Sequence, residues 1–179
     1  RLVGVAWSLR RREMTENLTS ILRQRIASDG PLSVADYMQA ALLDPDHGYY
    51  STQEPFGVDG DFITAPEISQ MFGELIGLWA AVVWQGLGSP ETIALVELGP
   101  GRGSLMSDVL RASRAVPNFS SAIEAHLVEA SPRLRQIQRE TLVGHDITWQ
   151  DDIEGIPGVP SIIIANEFLD ALPIRQIIR

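Results

Sequence analysis

From residue 92 onward the chain settles into short apolar runs separated by amphipathic stretches, a pattern that few folds accept. Thr92 to Leu98 reads as a continuous apolar strand, and Ser104 to Val116 as a helix with Leu105, Val109 and Leu110 inward. Ala122 to Glu129 is the next strand, and Ser131-Pro132 caps and opens a helix running to about Leu142. Ile147 to Gln150 and Ser161 to Ala165 complete the strands, with a further one expected at Pro173 to Arg179. Apolar strands interleaved with helices predict an α/β fold whose parallel sheet is covered on both faces.

The residues before 92 follow a different grammar. Thr15 can cap a helix that places Leu18, Ile21, Leu22 and Ile26 on one face and ends near Asp29-Gly30-Pro31. Ser33-Val34-Ala35-Asp36 opens a second helix, and Asp44-Pro45-Asp46-His47-Gly48-Tyr49-Tyr50 breaks the pattern into a long loop reaching Ala65. Pro66 suits the first position of a third helix, Glu67 to about Gln85. Its stripe of Ile68, Met71, Phe72, Leu75, Ile76, Trp79, Val82 and Val83 predicts a largely buried helix.

Composition narrows the chemistry. A net charge of −9 over 179 residues argues against a nucleic-acid binder, which needs a basic face; it suits a basic protein or peptide as partner, although solubility alone is the commoner reason for such a charge. With no cysteine, a disulfide framework and a thiolate metal site are excluded. His47, His126 and His145 lack metal-ligand spacing, so no metal is expected. The longest apolar run, within Leu75 to Trp84, is too short to span a bilayer, so stable membrane insertion is not expected. Residues 1–13 hold four arginines before their single acid, Glu13, and read either as translation upstream of a start at Met14 or as part of an organellar targeting segment.

The loop after the first strand selects a cofactor class. Gly99, Gly101 and Gly103 follow an apolar strand and open a helix, where bare backbone lets a ligand approach the amides. A dinucleotide fingerprint requires glycine at 104, and Ser104 stands there. Glu129 ends the next strand, where a carboxylate can accept from both ribose hydroxyls; it supports a nucleoside without separating the two cofactor classes. The alternative for Glu129 is to cap the helix at Ser131-Pro132. After the fourth strand, Glu167 and Asp170 could grip a guanidinium by paired charge-assisted bonds, Asn166 could instead orient an amide or amine, or the two acids could cap the next helix.

The order Glu97-Leu98-Gly99-Pro100-Gly101-Arg102-Gly103 resembles motif I of S-adenosylmethionine methyltransferases. Together with Asp44 to Tyr50, Gly60-Asp61-Phe62-Ile63-Thr64-Ala65-Pro66-Glu67-Ile68-Ser69 and Ala165 to Pro173, it is similar to the MidA-like methyltransferases, the mitochondrial complex I assembly factors and their bacterial relatives. The resemblance implies a Rossmann-like class I methyltransferase sheet at 91–179, cut short before its last strands, behind an N-terminal helical segment at 14–90 that carries a cofactor-covering loop. It implies S-adenosyl-L-methionine as cofactor, with Glu97 at the amino-acid end and the glycines beneath it. Asp151, with neighbouring Asp152, is implied at the adenine, and Asp61 and Thr64 beside the cofactor; the alternatives are a plain acidic turn at 151–152 and an exposed Gly-Asp turn at 60–61. The implied activity is arginine N-methylation of a protein such as a complex I subunit, in a bacterial cytoplasm or, in a eukaryote, the mitochondrial matrix. A small-molecule methyltransferase, an NAD-dependent oxidoreductase and a non-catalytic assembly chaperone are the competing readings. The open edge of an unfinished sheet favours association into a homo-oligomer.

Overall fold

The computed structural model describes residues 17–52 and 64–177. Helix α1 (Leu18–Asp29) starts at Asn17, whose side chain accepts from the Ser20 amide; Thr15, the expected cap, lies outside the described residues. Helix α2 (Val34–Leu43) is capped by Ser33, which accepts from the Asp36 amide while its hydroxyl donates to the Asp36 carboxylate. The break after it holds a short helix α3 (Tyr49–Thr52).

The third predicted helix is two helices. Ser69 is extended (φ −152°, ψ 124°), and it separates α4 (Ala65–Ile68) from α5 (Gln70–Gly86), whose first turn it caps. The buried face of α5 is also not the predicted one. Gly73, Gly77, Ala80, Ala81 and Trp84 are buried, whereas Met71, Leu75, Trp79 and Val82 are exposed and Ile68, on α4, is 71 % exposed. Only Phe72, Ile76 and Val83 of the expected stripe pack against the core.

The reason is close approach to the next helix, α6 (Ser104–Ser113). A Cβ on Gly73 would lie 2.5 Å from Asp108 Cβ, and one on Gly77 would lie 2.8 Å from the Val109 carbonyl. Side-chain hydrophobicity does not register glycine as a packing surface, yet here the absence of a side chain makes the contact. Gly77→Leu is therefore expected to force α5 from α6, costing about 2 kcal/mol and lowering Tm by about 5 °C, measured by thermal unfolding.

The strands fall close to where the pattern placed them. They are β1 (Ile93–Leu98), β2 (Ile123–Val128), β3 (Ile147–Gln150) and β4 (Ser161–Ile164), all parallel in the order β3-β2-β1-β4. Helix α7 (Phe119–Ala122) leads into β2, and α8 (Pro132–Thr141) joins β2 to β3. The core comprises Ile93, Leu95, Ala125, Leu127 and Ile162 from alternate strand positions, against α5, α6 and α7. Trp84 anchors it, stacking 5.3 Å from Phe119 and donating its indole N–H to the Pro90 carbonyl.

Two expectations about the sheet need correction. Alternate positions on its other face include buried Ala94, Val96 and His126, but Glu124, Thr148, Ser161 and Ile163 are exposed, so cover on that face is partial. Among the described residues, 173–177 form no strand: Pro173 has no N–H for a ladder, and Ile174 and Ile177 are exposed. No described helix is long and apolar enough to cross a membrane.

Candidate active site

Because the four strands are parallel, their carboxyl ends meet at one edge, and the residues following each strand meet there too. They line a cleft of about 600 Å³. Of the residues singled out above, Glu97, Gly99, Gly101, Glu129, Asp151, Asn166, Glu167, Asp170 and Thr64 all border it. Gly103 and Asp152 do not, and Asp61 lies outside the described residues.

Glu97 sits on β1 and is only 3 % exposed. Among the described residues, one carboxyl oxygen, Oε2, is buried without a hydrogen-bond partner. Burial pushes its pKa up to about 8, opposed by an N–H from Met106 in the first turn of α6. The loop above it turns through Gly99 (φ 60°), where a Cβ would lie 2.5 Å from the Phe168 ring. Gly99 is thus needed for its left-handed backbone and for the approach of the loop after β4. Gly103 closes the turn on the Pro100 carbonyl and occupies the cap position of α6, buried behind the cleft.

Helix α8 organises the other strand ends. Glu129 Oε1 accepts from the Ser131 amide at 2.8 Å, so the capping alternative is realised in part. Its Oε2 accepts from the Gln138 side chain at 3.3 Å, and a carboxylate with about four acceptor sites keeps capacity for further donors. Burial raises the Glu129 pKa, against the pull of its Ser131 and Gln138 donors and of Arg135. Arg135 ties the tips of β2 and β3 together, donating to the carbonyls of Glu129 and Gln150 and to Asp151 Oδ1 at 2.6 Å. Asp152 instead accepts from the Glu154 amide and caps the 3-10 turn Ile153–Gly155.

Opposite these groups stands the loop after β4. Glu167 adopts a left-handed backbone (φ 52°), strained for a residue with a side chain. Neither it nor Asp170 caps a helix: the 3-10 turn Leu169–Ala171 has Phe168 at its cap, with no side-chain bond. Tyr50 borders the same region, and desolvation, with the nearby Asp170 charge, raises its pKa.

Sequence reasoning assigned no role to Tyr50, Glu67, Arg135 or Gln138. Glu67, on α4, accepts the Ser104 hydroxyl at 2.6 Å and so fastens the N-terminal segment to the glycine-loop helix. Arg135 and Gln138 share one helix face three residues apart, a spacing that marks neighbours without revealing what they touch. No described group of His, Asp and Glu could hold a metal ion.

A family model described as "Putative S-adenosyl-L-methionine-dependent methyltransferase" matches residues 75–179. The chain belongs to this methyltransferase family. The mitochondrial protein arginine methyltransferase NDUFAF7 of Danio rerio is 41 % identical over 96 % of this chain and 47 % of that protein. The Homo sapiens protein of the same name is 38 % identical over 92 % of this chain and 44 % of its own length. A crystal structure from Burkholderia thailandensis, bound to S-adenosyl-homocysteine, superposes with a TM-score of 0.75 at 32 % identity, over 87 % of this chain and 42 % of that one. The chain spans under half the length of the curated relatives it matches.

The residues that line the cleft fit the family's cofactor. The unpartnered Glu97 oxygen calls for a donor such as an ammonium, and Glu129 retains acceptor capacity at the adjoining strand end. The glycine turn at 99–101 borders the cleft between them.

Proposed function

We propose that this chain carries the S-adenosyl-L-methionine site of a protein arginine N-methyltransferase. Glu97 would hold the cofactor's amino-acid end, Glu129 the ribose and Asp151 the adenine. The bound cofactor supplies an electrophilic methyl group. The acidic loop then positions the acceptor: Glu167 and Asp170 grip a guanidinium from one side of the same cleft, with Asn166 beside them. The observation that carries this reading is the convergence of three cofactor acids and the acceptor loop on one concavity.

An arginine of a respiratory complex I subunit is the proposed acceptor, as the resemblance to the MidA-like family implies; the NDUFAF7 relatives support an arginine of a protein in mitochondria. The proposed compartment is the mitochondrial matrix, or the cytoplasm in a bacterial host. Calorimetric titration with S-adenosyl-L-methionine and with NAD tests the cofactor assignment, and binding of NAD alone would overturn it. Incubation with labelled cofactor and complex I subunits tests the acceptor. Label should appear on arginine; label on small molecules alone would sink the protein-substrate claim.

A further inference from the structure

Gln138 is fully buried on α8, and all its polar atoms are engaged. Its Nε2 donates to the Gly101 carbonyl at 2.8 Å and to Glu129 Oε2 at 3.3 Å, while its Oε1 accepts from the Trp149 indole at 2.9 Å. The orientation of the amide follows from its partners. An indole N–H can only donate, and a carbonyl and a carboxylate can only accept, so oxygen must face Trp149 and nitrogen the other two. Trp149 is itself braced from outside by the Arg139 guanidinium, 5.0 Å from its ring.

One amide therefore joins the glycine turn, the acid after β2 and the side chain of β3, three elements that meet nowhere in the sequence. None of this is needed to fill the core, since an apolar side chain of the same length would do so. An apolar residue would, however, strand a carbonyl, a carboxylate oxygen and an indole N–H away from water.

We propose that Gln138 is a positioning residue for the cofactor. It holds the Gly101 turn and the Glu129 carboxylate in one fixed relation, so that the amino-acid and ribose subsites are set together before the ligand arrives. The proposal rests on the S-adenosyl-L-methionine reading of the cleft.

The test uses the chain with S-adenosylhomocysteine as probe, comparing Gln138→Met, Glu129→Ala and the double variant by calorimetry, with Tm recorded for each. Gln138→Met should weaken binding about tenfold, and by about threefold when Glu129 is already replaced, because only the hold on the Gly101 carbonyl then remains. Additive losses, or a lowered Tm with unchanged affinity, would overturn the proposal.

Gln138→Glu supplies a second readout should the methionine variant not fold. Two carboxyl groups then face each other, and the proton they share is lost as pH rises. Protonation of the pair as pH falls from 8 to 6 should offset the loss that Glu97 causes, leaving a profile flatter than the parent's; a profile parallel to the parent's would refute the positioning role. Failure of the parent chain to bind S-adenosylhomocysteine at all would instead bring down the cofactor reading, and the proposal with it.

Discussion

Glu97→Gln is expected to weaken S-adenosylhomocysteine binding at pH 8 by about a hundredfold and to erase its dependence on pH. The Glu97 carboxyl is enclosed, and burial holds its pKa at about 8. At neutral pH it is therefore largely a neutral acid. An ammonium brought against it favours the carboxylate, so binding below pH 8 releases a proton. Affinity should rise by up to about tenfold per pH unit towards pH 8 and level off above it. Glutamine has no proton to release and no charge to offer. Equal affinities of the parent chain at pH 6 and pH 8 would contradict this account.

The same group gives the unliganded chain a pH-dependent stability. Glu97 has a folded pKa of about 8 against 4.5 for the group in water, so the native state binds the extra proton between those limits. Its contribution is fully present below about pH 4.5 and is lost as pH rises through about 8. Glu97→Gln should remove that loss, so thermal unfolding at pH 8.5 should show the variant more stable than its parent. Stability and cofactor binding thus move in opposite directions at this residue, as at many functional sites.

The largest loss of stability is expected from Phe119→Ala, about 3–5 kcal/mol. Phe119 is fully buried and packs on Trp84, so truncation leaves a cavity between α5, α7 and the sheet. At about 2–4 °C per kcal/mol for a chain of this size, Tm should fall by about 10 °C. Phe119 precedes β2, whereas the cleft lies beyond the far end of that strand. At a temperature where the variant remains folded, its affinity for S-adenosylhomocysteine should stay within about twofold of the parent. A loss of affinity at preserved fold would mean that the cavity is transmitted along β2.

Fold and site were legible to different degrees. The strand ends 98, 129, 150 and 165 could be placed within a residue or two because buried strands are continuous apolar runs that stop where the backbone must turn. Once the strands are parallel, their shared edge follows, which is why Glu97, Glu129, Asp151 and Asn166 could be grouped without coordinates. Helix α5 was misread because its inward face is made of glycine and alanine, residues that add little to an apolar stripe. Asp151 and Asp152 are indistinguishable as a pair of acids; only the turn after β3 sends one to the cleft and the other to a cap.

By itself, then, the sequence determined the alternation of elements, the parallel sheet and the glycine turn with its preceding acid, because these depend on local periodicity and on backbone that only glycine adopts easily. The tertiary structure alone decided which face of α5 is buried, that Gly99 yields to Phe168, and that Arg135 and Gln138 bind the strand tips together. Those outcomes depend on how closely distant backbones approach and on pairing donors with acceptors across long stretches of chain, and neither leaves a periodic trace in the sequence.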